Sequence, residues 1–213
     1  LALLNRGKTD QQYPLFILYN KSNIPKRPEN IKKYYNVLKS LIKGSLLLQK
    51  NNCKFIVIPC NTAHYWHEDL QKKIKIPILS MPKEVYLHTK KNCKKNSKIG
   101  ILCTEATLKT GVYNKYFNKS YKLVSPTKSL QKVSVNKAIK FVKMGKIKLA
   151  EKAIRPAVNE LVKMKCKKII LGCTELPIAI FAYKSFKKIK KSKVFIDPNL
   201  LLANISMKKY LRK

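Results

Sequence analysis

Cys53-Lys54-Phe55-Ile56-Val57-Ile58-Pro59-Cys60 and Cys166-Lys167-Lys168-Ile169-Ile170-Leu171-Gly172-Cys173 match in register, with cysteine at both ends, lysine second and isoleucine fourth. Each opens a run of β-branched and apolar residues too short for a helix and suited to a buried parallel strand. Each then breaks, at Pro59 or Gly172, turns on a cysteine, and continues into small polar residues, Asn61-Thr62 or Thr174-Glu175. An internal repeat of this kind predicts two similar half-domains. A thiol stands in each half where a strand ends and a helix begins. Ligands of open α/β sheets bind beyond the carboxyl ends of strands. A helix N-terminus there favours anions and thiolates. Two such cysteines can flank one substrate from opposite faces.

The rest of the chain reads as alternating elements. Outward from the first cysteine strand (54–60), residues 13–19 are expected as a buried strand, 20–29 as the loop at its carboxyl end and 30–50 as a helix. A helix over 61–73, a strand over 77–81 and a helix over 82–92 follow. The second half opens with a strand at 98–104 and a helix to about Phe117, then a short strand at 121–124. Helices are expected at 129–144 and 147–165, with Pro156 kinking or breaking the second. Strands at 167–172 and 194–196 and a closing helix at 199–211 complete the pattern. Such alternation predicts an α/β architecture with mainly parallel sheets. The strand near Ile99 precedes Cys173 by more residues than stand before Cys60. Its counterpart in the first half therefore falls ahead of residue 1, and the chain is expected to lack that opening strand.

The chain has 213 residues, 45% hydrophobic, enough to fill a core. No run reaches the ~18 apolar residues of a membrane span, and no secretory signal is recognisable. Six sparse cysteines, partly within apolar strands, suit reduced, cytoplasmic usage rather than a disulfide framework. The net charge of +37 raises nucleic-acid binding as a reading. Only Arg6, Arg27, Arg155 and Arg212 of the 47 basic residues are arginine, however, and the lysines are scattered along the chain. Nucleic-acid surfaces gather their cations on one face and use arginine and aromatics. The composition points to coding bias, with a residual role in steering anionic substrates.

Pro59-Cys60-Asn61-Thr62-Ala63-His64, followed by Gly172-Cys173-Thr174-Glu175-Leu176, resembles the aspartate/glutamate racemase superfamily, and Cys-Thr-Glu resembles its aspartate racemase branch. Asn23-Ile24-Pro25-Lys26-Arg27 is similar to the family's Ile-Pro-Asp-Arg loop, with Lys26 in place of the acidic residue. Val142-Lys143-Met144-Gly145 is similar to its Ile-Lys-x-Gly segment, and Ile196-Asp197-Pro198 to its late Asp-Pro turn. The family's opening strand and Gly-Gly-Met-Gly-Pro-like loop have no counterpart in the sequence.

The resemblance implies two pseudo-symmetric three-layer α/β/α halves with the active site in the cleft between them. The boundaries expected are 1–96 joined by a C-terminal helix over 199–213, and 97–198. It also implies a racemase that uses neither pyridoxal phosphate nor metal, with Cys60 and Cys173 as catalytic base and acid on opposite faces of Cα. Backbone N–H groups with Asn61, Thr62, Thr104 and Thr174 are the expected donors to the substrate α-carboxylate. By resemblance, Arg27 and Lys143 hold the side-chain carboxylate, and Glu175 joins the substrate-binding set, although it can also simply cap its helix. The expected partners are a small-molecule amino-acid substrate and a second copy of the chain, with no specific nucleic acid and no membrane.

Plainer roles are expected elsewhere. Cys53, Cys93 and Cys166 read as small buried hydrophobes, and Cys103 as a packing residue near the site. His64, Tyr65, Trp66, His67 and Glu68 match no strong metal signature, and His64 is expected to support the site or to pack. Three functions compete: aspartate racemase, a relative acting on glutamate, hydantoins or maleate, and an inactive lysine-rich binding protein with the same fold. The presence of both thiols disfavours single-cysteine decarboxylase relatives.

Overall fold

The computed structural model describes residues 9–25, 35–182 and 194–211. In the first half, helix α1 (Tyr35–Lys50) leads to strand β1 (Ile56–Val57), a 3₁₀ turn (Thr62–Trp66), helix α2 (His67–Gln71) and strand β2 (Ile78–Leu79). Strands β1 and β2 pair in parallel, Ile56 opposite Ile78. Leu38, Leu41, Ile42 and Leu48, at helical spacing on α1, pack over Ile56, Leu70, Ile74 and Ile78. Helix α3 (Met81–Asn92) leads into the second half, with Pro82 in its first turn, where a missing N–H costs nothing.

The second half runs through β3 (Lys98–Cys103), α4 (Glu105–Thr110), α5 (Asn114–Phe117), β4 (Lys122–Val124) and α6 (Lys128–Leu130). A π-helical segment (Gln131–Asn136), α7 (Lys137–Lys143), α8 (Ile147–Lys163), β5 (Lys168–Gly172), α9 (Leu176–Phe181), β6 (Phe195–Ile196) and α10 (Pro198–Leu211) complete it. Its four strands form a parallel sheet in the order β4-β3-β5-β6. Both faces are covered, which is why β3 and β5 read as continuous apolar runs rather than alternating ones. Leu102, Ile169 and Leu171 face Ala150, Ile154, Ala157, Val158 and Leu161 of α8. Ile99, Ile101 and Ile170 face Val85 of α3 and Tyr113, Phe117 and Tyr121 on the other side. The result is an α/β/α sandwich beside a smaller parallel α/β unit, with the strand–cysteine–turn motif occurring once in each.

Gly172 sits where β5 meets the end of β3. A Cβ there would come within 2.9 Å of Cys103 Cβ, so only glycine lets the two strand ends approach this closely. Helix α10 packs against α3, and its Lys209 lies over the ring of Phe55, 5.9 Å from the centroid, in the first half.

Several expectations change. Residues 13–19 form no strand: Leu15 is 92% exposed and Leu18 79%. An apolar run becomes a strand only beside a partner that completes its hydrogen bonds. Among the described residues β1 pairs with β2 alone, which also leaves β1 and β2 at two residues each. The helix expected from 105 to Phe117 is two helices, because Gly111 takes the left-handed conformation (φ 63°) and ends the first. Helix α8 continues through Pro156 without interruption. Its buried apolar stripe outweighs the one backbone hydrogen bond that proline removes.

Candidate active site

Cys60 follows β1 in a tight turn whose amide bonds to Ile58 O at 2.8 Å. The imidazole of His64, one turn on, fixes that turn. Its Nε2 accepts from the Met81 amide at 3.1 Å, so Nδ1 carries the proton and donates to Cys60 O at 2.9 Å. Burial lowers the His64 pKa to about 4, outweighing its backbone hydrogen bonds, so the ring is neutral near pH 7. It is a support for Cys60.

Asn61 is 3% exposed. Its Oδ1 accepts from the fully buried phenol of Tyr113 at 2.5 Å. Its Nδ2 has no hydrogen-bond partner among the described residues, although the residue lines the cleft described below. Thr62 Oγ1 lies 2.7 Å from Thr107 Oγ1 and 3.5 Å from Thr104 Oγ1, while Thr104 caps α4 by accepting from the Thr107 amide at 3.2 Å. Asn61 and Thr62, adjacent in the turn after β1, are thus fastened to the start of α5 and to the first turn of α4.

The second cysteine follows β5. Cys173 is 8% exposed and donates its Sγ–H to Glu175 Oε2 at 2.9 Å. Burial, followed by the adjacent Glu175 charge and that hydrogen bond, raises the thiol far above its ordinary range. Thr174 Oγ1 donates to the same oxygen at 2.8 Å, and Lys143 Nζ lies 3.4 Å from Oε1. Burial alone would raise the Glu175 carboxyl, but the hydrogen bonds from Cys173 and Thr174 and the Lys143 charge lower it on balance. Glu175 therefore does not cap its helix through its side chain, contrary to the plainer expectation. It organises the second thiol.

One cleft of about 590 Å³ collects these groups. Cys60, Asn61, Thr62, Thr104, Lys143, Cys173, Thr174 and Glu175 all line it. Arg27 lies outside the described residues, while Ser22 and Ile24 of the same loop reach the cleft wall. Cys103 is fully buried in the core and is absent from the lining.

The sequence reading missed Glu105, Asn136, Lys140 and Tyr113. Asn136, Ile139, Lys140 and Lys143 lie on one helical face at i, i+3, i+4 and i+7, so counting back from Lys143 finds the first three. Asn136 Nδ2 donates to Glu105 Oε1 at 2.6 Å, and Gln131 Nε2 donates to both Asn136 Oδ1 and Cys103 O at 2.9 Å. The π-helical segment that carries Gln131 and Asn136 is a departure often found at functional sites, and it had no signature in the sequence.

A sequence model of the Asp/Glu/Hydantoin racemase family matches residues 2–205. The chain belongs to that family. Its sequence is similar to the broad specificity amino-acid racemase RacX of Bacillus subtilis, 25% identical over 205 residues, 96% of this chain and 86% of the relative. It is 27% identical over 173 residues to a glutamate racemase of Carboxydothermus hydrogenoformans, covering 76% of this chain and 60% of that protein. The fold is similar to that of the Picrophilus torridus aspartate racemase, with a TM-score of 0.79 and 27% identity over 99% of this chain and 87% of that one.

Proposed function

We propose that the protein interconverts L- and D-aspartate by two-base proton transfer between Cys60 and Cys173, without pyridoxal phosphate or metal. The observation that carries this reading is the meeting of both thiols, a buried unpartnered amide and three threonine hydroxyls in one cleft. A thiolate on one face removes the α-proton, and the electron pair left on Cα delocalises into the α-carboxylate. The thiol on the other face delivers its own proton to Cα. The opposite enantiomer forms and the two cysteines have exchanged protonation states. Asn61 Nδ2, with Thr62, Thr104 and Thr174, stabilises the charge growing on the carboxylate.

The assignment to aspartate rests on Lys143 at the cleft wall, on Arg27 as the second cation that the family resemblance implies, and on the likeness to the Picrophilus enzyme. The cleft lies between a first half, residues 1–96 with the C-terminal helix, and a second, 97–198. A broader acidic or general amino-acid range is the second reading, favoured by the likeness to RacX across nearly the whole chain. The test is α-proton exchange in deuterated water with L- and D-aspartate, followed with circular dichroism, and repeated with glutamate. Inversion of both aspartate enantiomers, faster than of glutamate, is expected. Exchange with glutamate alone would move the substrate assignment. Absence of exchange with every amino acid would sink the racemase reading.

A further inference from the structure

We infer that Glu105 is the group that binds the substrate α-ammonium, so that the cleft selects free α-amino acids over hydantoins and over dicarboxylic acids without an amino group. The inference rests on the racemase reading above and deepens it. Among the described residues the cleft wall carries two carboxylates, Glu105 and Glu175, and two ammonium groups, Lys140 and Lys143.

Glu175 already has a partner on each oxygen. One of its oxygens takes Cys173 Sγ–H and Thr174 Oγ1–H, and the other faces Lys143. Glu105 differs. Its Oε1 receives Asn136 Nδ2 at 2.6 Å, and no hydrogen bond or ion pair reaches Oε2 among the described residues. The carboxylate is also well anchored. It stands in the first turn of α4 beside the Thr104 cap, and Asn136 is itself held by Gln131, which bonds to the end of β3 at Cys103 O. A half-buried carboxylate that two fixed elements orient, with one oxygen uncommitted, is complementary to a cation.

An α-amino acid offers one cation and one or two carboxylates. The carboxylates match Asn61 Nδ2, the hydroxyls and the lysines, and the ammonium is left with Glu105. A hydantoin locks that nitrogen in a ring amide without charge, and succinate lacks it. The hydantoin then offers Glu105 only a neutral N–H, and succinate offers it no donor at all.

The test measures binding to the full chain by titration calorimetry with L-aspartate, succinate and hydantoin-5-acetate. Wild-type protein is expected to prefer aspartate. In Glu105→Gln the aspartate Kd should rise roughly ten- to a hundredfold, the range for loss of a charge-assisted hydrogen bond, while succinate binds as well as before or better. Glu105→Ala should show the same divergence, and thermal melting verifies that each variant is folded. Parallel loss of aspartate and succinate binding, or an unchanged aspartate Kd, overturns the inference. Protein that binds aspartate in this Glu105-dependent way but never exchanges its α-proton would refute the racemase reading and leave the ammonium site standing. Protein that racemises aspartate with no divergence in Glu105→Gln refutes the ammonium site alone.

Discussion

With its proton directed at Glu175 and its sulfur largely out of water, Cys173 is a thiol at neutral pH. In the proposed two-base reaction it stands ready as the acid. Because the Glu175 charge and hydrogen bond are part of what raises the thiol, Glu175→Gln should let the thiolate appear at lower pH, with burial still holding it above an ordinary cysteine. Alkylation of Cys173 by iodoacetamide, followed across pH by peptide mass spectrometry, should shift downward by at least about one unit. An unmoved profile would assign the raised thiol to burial alone. Cys60→Ala and Cys173→Ala should each lower racemisation by about a thousandfold or more, while wash-in of deuterium into a single enantiomer persists. Tyr113→Phe removes the one hydrogen bond that Asn61 Oδ1 accepts among the described residues. It should cost about 1–3 kcal/mol in urea unfolding, since a buried acceptor is left unpaired. It should also raise KM for aspartate, because the free amide donor is no longer aimed.

At the scale of elements, the His64 bridge joins the turn after β1 to the start of α3. Its folded pKa near 4 lies below the ordinary 6.5, so the unfolded chain binds an extra proton between those values. Stability conferred by the neutral ring is complete above about pH 6.5 and falls as the pH drops toward 4. Urea midpoints should decline over that window in wild-type protein and flatten in His64→Gln. Gly172→Ala should lower stability by about 1–3 kcal/mol, since the added methyl meets Cys103 Cβ from the neighbouring strand. The two strand–cysteine–turn units were legible because their signals are local: an apolar run, a breaker, a thiol and a small polar cap. Residues 13–19 were not, because strand formation depends on a neighbour that sequence spacing does not supply. The π-helical turn was equally hidden. Its residues carry an ordinary helical pattern, and the extra residue per turn is settled by what Gln131 and Asn136 must reach.

Over the whole molecule, the net charge of +37 favours the approach of the anionic substrate proposed for the cleft. Screening shortens the reach of that field to about 8 Å at physiological ionic strength. kcat/KM for aspartate should therefore fall as salt is raised from 20 to about 500 mM, with kcat little changed. An equal fall in kcat would place the salt effect in the site itself. The paired thiols, the hydroxyl donors and Lys143 could be picked out by motif. Glu105 and Tyr113 could not, since each acts through a tertiary contact, Glu105 with Asn136 on another element of the second half and Tyr113 with Asn61 of the first.

Two of the fastenings between those halves, Tyr113 to Asn61 and Thr107 to Thr62, fall on neighbouring residues at the base of the cleft, and Lys115 to Glu68 and Tyr116 to Ser80 add others away from it. Pins at the floor of the cleft and again behind it act together as a clamp, which holds the turn carrying Cys60 against the half that carries Cys173. The place of Cys60 relative to the second half is thereby set by the fold itself, before any ligand arrives.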